Sequence, residues 1–263
     1  MDSPPSFRFH TDERAASVPL WREALAGIDW LALRASPLFY GLGVPRGDGS
    51  AVVVVPGFLG TDAYLAEMYW WLRRIGYRAY MSRIGRNAEC LDVLVDRLLV
   101  TVDRAQASTG GPVHLVGHSL GGILARAAAS RRPRQIASVA TLGSPFRGIR
   151  SHPFVLQATQ LVRRRIRRER NARDRSQCYT GRCTCQAVTS LRCELPASVR
   201  QIAVYTKTDG IVDWRFCVNE DPATDFEVPG SHVGLAFNPC VYGLIANHLA
   251  CARPQSRPHE VHA

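Results

Sequence analysis

Gly117-His118-Ser119-Leu120-Gly121 sets one serine between two glycines, directly after the apolar run PVHLVG (112–117) and directly before an alanine-rich stretch reaching Ser130. That context suits a nucleophile. A serine on a tight strand-to-helix turn projects its hydroxyl off the end of a sheet, and the flanking glycines leave room for the sharp backbone. The helix that follows aims its first N–H groups at any oxyanion forming nearby. A serine hydroxyl attacks poorly unless a base takes its proton and a third group orients that base. Downstream of Ser119, three histidines stand out as bases: His152, His232 and His248. Asp209 and Asp213 in TDGIVD (208–213) compete as the acid.

Such groups need a rigid frame, and the rest of the sequence supplies one. AVVVVPG (51–57) is a β-branched run of the kind buried on both faces of a parallel sheet. Residues 62–75 and 89–106 read as helices, the second with Leu91, Leu94, Val95, Leu98, Leu99 and Val102 at spacings of three and four. Strands are predicted at 77–82, 112–117, 136–143, 202–207 and 225–228, and a closing helix at 239–250. Strands alternating with helices of this length indicate βαβ units and a parallel sheet. Residues 21–35 read as a helix with Trp21, Leu25, Ile28 and Leu31 near one face, preceded by a loose arm over 1–20.

Four segments carry a family resemblance: VVVVPGFLG, VGHSLGG, TLGSPFRG, and the pair TDGIVD with GSHVGL. Over roughly Ala51 to Ala250 the chain resembles the lipase and esterase branch of the α/β-hydrolases. The resemblance implies a mostly parallel central sheet flanked by helices and a chain order of nucleophile, acid, base. Ser119 would be the nucleophile. His232, in a glycine-flanked loop before the last helix, falls where the family places its base. Asp209 falls where it places the acid, with Asp213 the alternative. Phe58 and Leu120 would supply the two oxyanion N–H groups, although Leu59 also competes; Pro56 has no N–H to give. The family often has His-Gly where this chain has Pro56-Gly57. The expected chemistry is two-step acyl transfer from a carboxylic ester, through an acyl-enzyme, with no cofactor.

Residues 150–195 break the alternation, first arginine-rich (RRRIRRERNARDR, 163–175) and then cysteine-rich. They read as a lid-like insertion whose Leu156, Leu161, Val162 and Ile166 could form an apolar face toward an anionic membrane. A solvated arginine-rich helix is the plainer reading, and a nucleic-acid arm lacks interleaved aromatics for base stacking. Cys178, Cys183, Cys185 and Cys193 have the spacing C-x4-C-x-C-x7-C, without the paired C-x2-C of standard zinc sites. These four would be the ligands of any metal, though the spacing gives little reason to expect one. Cys217 and Cys240, just after the acid and base loops, are a candidate disulfide pair that would staple those loops together.

The organisation expected is an N-terminal arm and helix (1–50), a first core part (51–149), the insertion (150–195), a second core part (196–252) and a tail (253–263). The 263 residues are 46% hydrophobic, enough for one domain. The formal charge of +11 is carried by arginines and a single lysine, Lys207. It speaks to association and solubility rather than chemistry, and codon bias toward arginine accounts for much of it. No apolar run is long enough to span a bilayer, and MDSPPSFRFHTDER lacks a signal pattern. The cytoplasm is therefore favoured, with export left open by the eight cysteines. Expected partners are a small-molecule or lipid ester and an anionic membrane surface. Rival functions are a thioesterase or acyltransferase using the same residues, and a binding protein acting through the insertion.

Overall fold

The computed structural model describes residues 10–15, 18–169, 178–180 and 182–251. In chain order the elements are β1 (His10–Ala15), α1 (Ala26–Ala35), β2 (Ala51–Val55), α2 (Ala66–Arg74), β3 (Arg78–Met81), α3 (Leu91–Thr109), β4 (Val113–His118), α4 (Leu120–Arg131), β5 (Ile136–Leu142), β6 (Gly148–Ser151), α5 (Pro153–Glu169), α6 (Gln186–Ser190), β7 (Arg200–Tyr205), β8 (Asp225–Glu227) and α7 (Pro239–Cys251). Six strands form one sheet in the order β3-β2-β4-β5-β7-β8. Every neighbouring pair is parallel.

The continuous apolar strands follow from burial on both faces. Along β2, Ala51, Val53 and Val55 enter a cluster with α3 and α4, while Val52 and Val54 enter a second cluster with α2 and α7. All five side chains are fully buried, which is why no polar residue interrupts the run. The stripe predicted on α3 is also found: Leu91, Leu94, Val95, Leu98, Leu99 and Val102 are all buried against the sheet. Val116, Ala140 and Leu142 continue the second cluster across β4 and β5 toward the strand ends that carry the site.

The N-terminal region differs from its reading as one helix with an inward apolar face. A 3-10 turn at Leu20–Leu25 precedes α1. Trp21, Leu25, Ile28 and Leu31 are exposed. Leu33 alone of α1 is buried, and the region meets the core through polar side chains, Glu23 and Asp29, instead. Part of the expected loose arm, His10–Ala15, is a strand paired in parallel with β6; the rest of residues 1–9 lies outside the described residues. Much of the arginine-rich run (170–175), and the tail (253–263), do so too. Among the described residues, no helix is long and apolar enough to cross a membrane.

Candidate active site

Ser119 sits at the hinge between β4 and α4 with φ 53° and ψ −123°, a strained conformation for a residue with a side chain. Two contacts lock it. Its N–H donates to the Leu142 carbonyl at 2.7 Å, and its own carbonyl accepts from Gly122 N–H at 3.0 Å. The glycines of the motif are required by close backbone approach. A Cβ on Gly117 would collide with the backbone of Gly121 and Gly122, and one on Gly121 would collide with the Val55 carbonyl of the neighbouring strand. The motif is thus dictated by how tightly α4 must fold back over β2 and β4.

His232 is buried in the loop between β8 and α7, and its Nδ1 lies 2.6 Å from Asp209 Oδ2. The other oxygen of Asp209 accepts from the N–H groups of Ile211 (2.8 Å) and Val212 (2.7 Å), which fixes the carboxylate. Burial pushes the His232 pKa down, but the charge of Asp209 and its hydrogen bond outweigh this and hold it above the ordinary histidine value. Asp213 is directed elsewhere. It caps the short 3-10 turn Trp214–Phe216 and pairs with Arg215 (3.0 Å) and Arg150 (3.5 Å). The geometry therefore brings Asp209, not Asp213, to the imidazole. His248 is buried in α7, and His152 stacks on Phe154 before α5.

Ser119 and His232 line one cavity of about 430 Å³. No hydrogen bond joins their side chains in this structure; such contacts commonly tighten only with substrate bound. The remaining lining is predominantly apolar, including Phe58, Leu120, Ile123, Phe154 and Leu191. Beside Ser119, with Gly57 close against its Cβ, lies the loop 56–60, which also lines the cavity. There the Leu59 N–H is bonded to the Asn87 carbonyl at 2.9 Å, so it has no hydrogen left for an oxyanion. The N–H groups of Phe58 and of Leu120, the first residue of α4, have no acceptor among the described residues.

Three groups missed in the sequence hold these parts together. The Glu23 carboxylate accepts from the backbone N–H groups of Gly210 (2.8 Å), His232 (3.1 Å) and Val233 (2.7 Å), tying the acid and base loops. Nothing in the spacing of Glu23, 186 residues before Asp209, could have indicated this. His118 is buried, and burial takes its pKa down to about 3, so its ring is neutral. Its Nε2 lies 2.9 Å from the His232 carbonyl oxygen, which can only accept, so Nε2 carries the proton. The third is Asn87, whose Nδ2 donates to the Pro56 carbonyl at 2.8 Å and whose N–H donates to the Gly60 carbonyl at 2.9 Å. This zips the 56–60 loop in place.

Two expectations about cysteines require correction. Cys217 and Cys240 are both free. Cys217 is buried beneath the acid loop with Sγ 3.9 Å from the Asp213 carbonyl oxygen, whereas Cys240 is exposed in the first turn of α7. Glu23 and Asp209 join the two loops without covalent help. Cys193 does not accompany Cys178, Cys183 and Cys185: it is exposed beyond α6, and Cys90, at the start of α3, takes its place in the cluster.

A serine at a strained strand-to-helix hinge, at the end of a parallel sheet and facing an Asp-bonded histidine, defines a fold class, and the comparisons with known proteins agree. A family model described as the alpha/beta hydrolase fold matches residues 55–179. Among curated proteins, the chain is 30% identical over 159 residues to a triacylglycerol lipase of Burkholderia plantarii, covering 57% of this chain and 44% of that protein. It is 32% identical over 113 residues to a triacylglycerol lipase of Pseudarthrobacter phenanthrenivorans, covering 40% of this chain and 35% of that one. The chain thus spans less than half the length of these curated relatives. Among solved structures, a monoacylglycerol lipase of Paleococcus ferrophilus superposes with TM-score 0.51 at 16% identity, covering 78% of this chain and 97% of that one. A monoglyceride lipase variant from Saccharomyces cerevisiae gives 0.53 at 14%, covering 80% and 91%. The chain is an α/β-hydrolase-fold protein. Within that fold, the curated proteins it resembles are triacylglycerol lipases.

Proposed function

We propose that the chain is a carboxylic ester hydrolase acting on lipid-like esters, with Ser119 as nucleophile, His232 as general base and Asp209 as the acid that orients it. The observation that carries this reading is the strained Ser119 hinge opening into an apolar cavity that it shares with His232, whose far nitrogen is bonded to Asp209. In this mechanism His232 Nε2 takes the Ser119 proton as the hydroxyl attacks the ester carbonyl. The N–H groups of Phe58 and Leu120 receive the oxyanion. The protonated imidazole then gives its proton to the departing alcohol, leaving an acyl-enzyme. Water, activated by the same histidine, releases the acid and restores the serine.

The likeness to triacylglycerol lipases and the apolar lining favour an acyl group without charge. A cavity of about 430 Å³ lies within the ordinary range for small-molecule sites. α5 contributes Phe154, Val155, Ala158 and Thr159 to the cavity wall. Val162 and Ile166, expected on an outward apolar face with Leu161, are instead buried in the core. That leaves Leu161 and the rim residue Phe154 exposed to meet a lipid surface. A chain-length series of p-nitrophenyl esters, run on the wild type and Ser119→Ala, tests the reading. The wild type should turn over, and the variant should fall by about 10⁴-fold or more in kcat. Equal rates in the two proteins would remove Ser119 from its role.

A further inference from the structure

Four cysteines from two distant parts of the chain meet in the core beside the cavity. Cys90 stands at the N-terminus of α3, and Cys178, Cys183 and Cys185 come from the segment leading into α6. All four are buried, at 1%, 0%, 1% and 9% exposure. The Sγ atoms of Cys90 and Cys185 are 3.6 Å apart, as are those of Cys178 and Cys185. The sulfurs of Cys90, Cys178 and Cys185 all lie within 4.8 Å of one another. Cys183 stands outside that group of three, but its sulfur accepts from the Cys185 N–H at 3.4 Å.

These separations do not match a disulfide, whose sulfurs are about 2.05 Å apart. They match the edges of a sulfur tetrahedron. Four thiolates at about 2.3 Å from a central zinc ion stand about 3.8 Å from each other. We propose that Cys90, Cys178, Cys183 and Cys185 form a closed structural site for one zinc ion. Four soft thiolates in tetrahedral array select zinc over hard cations, and a site with four protein ligands leaves no open position for chemistry. Binding would draw the Cys183 sulfur toward Cys90 to complete the fourth corner.

The surroundings are built to hold such a site. Asp92 accepts from the N–H groups of Gln186 (3.0 Å) and Ala187 (2.8 Å), and the Tyr179 hydroxyl donates to the Glu89 carbonyl at 2.7 Å. These bonds fix the ligand-bearing segment on the start of α3, as outer partners of metal sites do. Arg165 of α5 donates to the carbonyl of Ala88, two residues before Cys90, and pairs with Glu89 and Glu169, which holds α5 against the start of α3. On binding, each thiol loses a proton to solvent and its sulfur donates a lone pair to zinc; no oxidant or reductant is involved. The ion would staple one wall of the cavity, since Tyr179, Val188 and Leu191 line it. The site stands independently of the proposed activity.

The test uses the full chain, purified under reducing conditions and reconstituted with Zn²⁺ or Co²⁺ alone. Elemental analysis after desalting should find about one zinc per chain. Co²⁺ should give the intense visible and charge-transfer absorption of a tetrahedral thiolate complex. Cys185→Ser should lose the metal and Cys193→Ser should keep it. Should Cys185→Ser fail to fold, the Co²⁺ titration of the wild type decides. The proposal is overturned if the reduced wild type retains no zinc and gives no tetrahedral Co²⁺ spectrum. It is equally overturned if peptide mapping finds these cysteines in disulfides, or if Cys193→Ser abolishes binding as Cys185→Ser does.

Discussion

The Glu23 carboxylate accepts the backbone N–H of His232 at 3.1 Å while it also holds Gly210, the residue after Asp209, at 2.8 Å. One side chain from a 3-10 turn outside the sheet therefore sets the distance between the acid and base loops. It also adds negative charge near the imidazole, a further cause of the raised His232 pKa.

Replacing Glu23 with alanine should loosen this alignment without removing any reacting group. A misplacement of that kind lowers kcat by about 10²-fold. Glu23 does not itself line the cavity, so KM should move less than kcat. Steady-state kinetics on Glu23→Ala, with circular dichroism to verify folding, would check this; a change confined to KM would contradict a positioning role. Glu23→Gln keeps an acceptor but removes the charge, and should shift the acid limb of the rate profile to lower pH.

The pH dependence has a definite sign. His232 acts as a base only when neutral, and its pKa is held above the ordinary histidine value of about 6.5. The ester hydrolysis rate should therefore fall as pH drops through a midpoint above that value. In Asp209→Asn the main opposing charge is gone and only Glu23 still works against burial, so the midpoint should move to lower pH. The rate itself should drop by about 10⁴-fold. A profile of kcat/KM for both proteins decides it. An unmoved midpoint would show that His232 does not titrate against Asp209.

Asn87 offers a test of the oxyanion loop. Its side chain holds Pro56 at 2.8 Å and its main chain holds Leu59 and Gly60. Asn87→Ala removes only the side-chain bond and frees the loop on one side. Loss of one oxyanion donor costs about 10²–10³-fold in kcat, so a loosened donor should cost less, about 10-fold. Wild-type kinetics in the variant would mean that the main-chain bonds of residue 87 suffice.

Gly121→Ala should be a folding mutant rather than an activity mutant. The new methyl would meet the Val55 carbonyl oxygen on a central strand, and neither backbone can retreat. Overpacking of this kind costs about 3 kcal/mol or more. Urea denaturation measures it directly. A loss within about 0.5 kcal/mol, typical of surface substitutions, would imply that α4 packs further from β2 than described.

What the sequence by itself determined was whatever rests on local pattern. The valine run of β2, the stripe on α3 and the glycines around Ser119 each obey a constraint acting within a few residues, so composition and spacing expose them. The roles offered for Asp209 and His232 came from family resemblance, because two loops 23 residues apart carry no local signal that they meet. Tertiary structure alone decided the rest. It turned Asp213 to Arg150 and Arg215, occupied the Leu59 N–H with Asn87, and exposed the face of Trp21, Ile28 and Leu31. It also put Cys90 where spacing suggested Cys193 and brought Glu23 to the base loop. Hydrogen bonds between residues tens to hundreds of positions apart exist only after the layers have packed, and no periodicity in the chain encodes them.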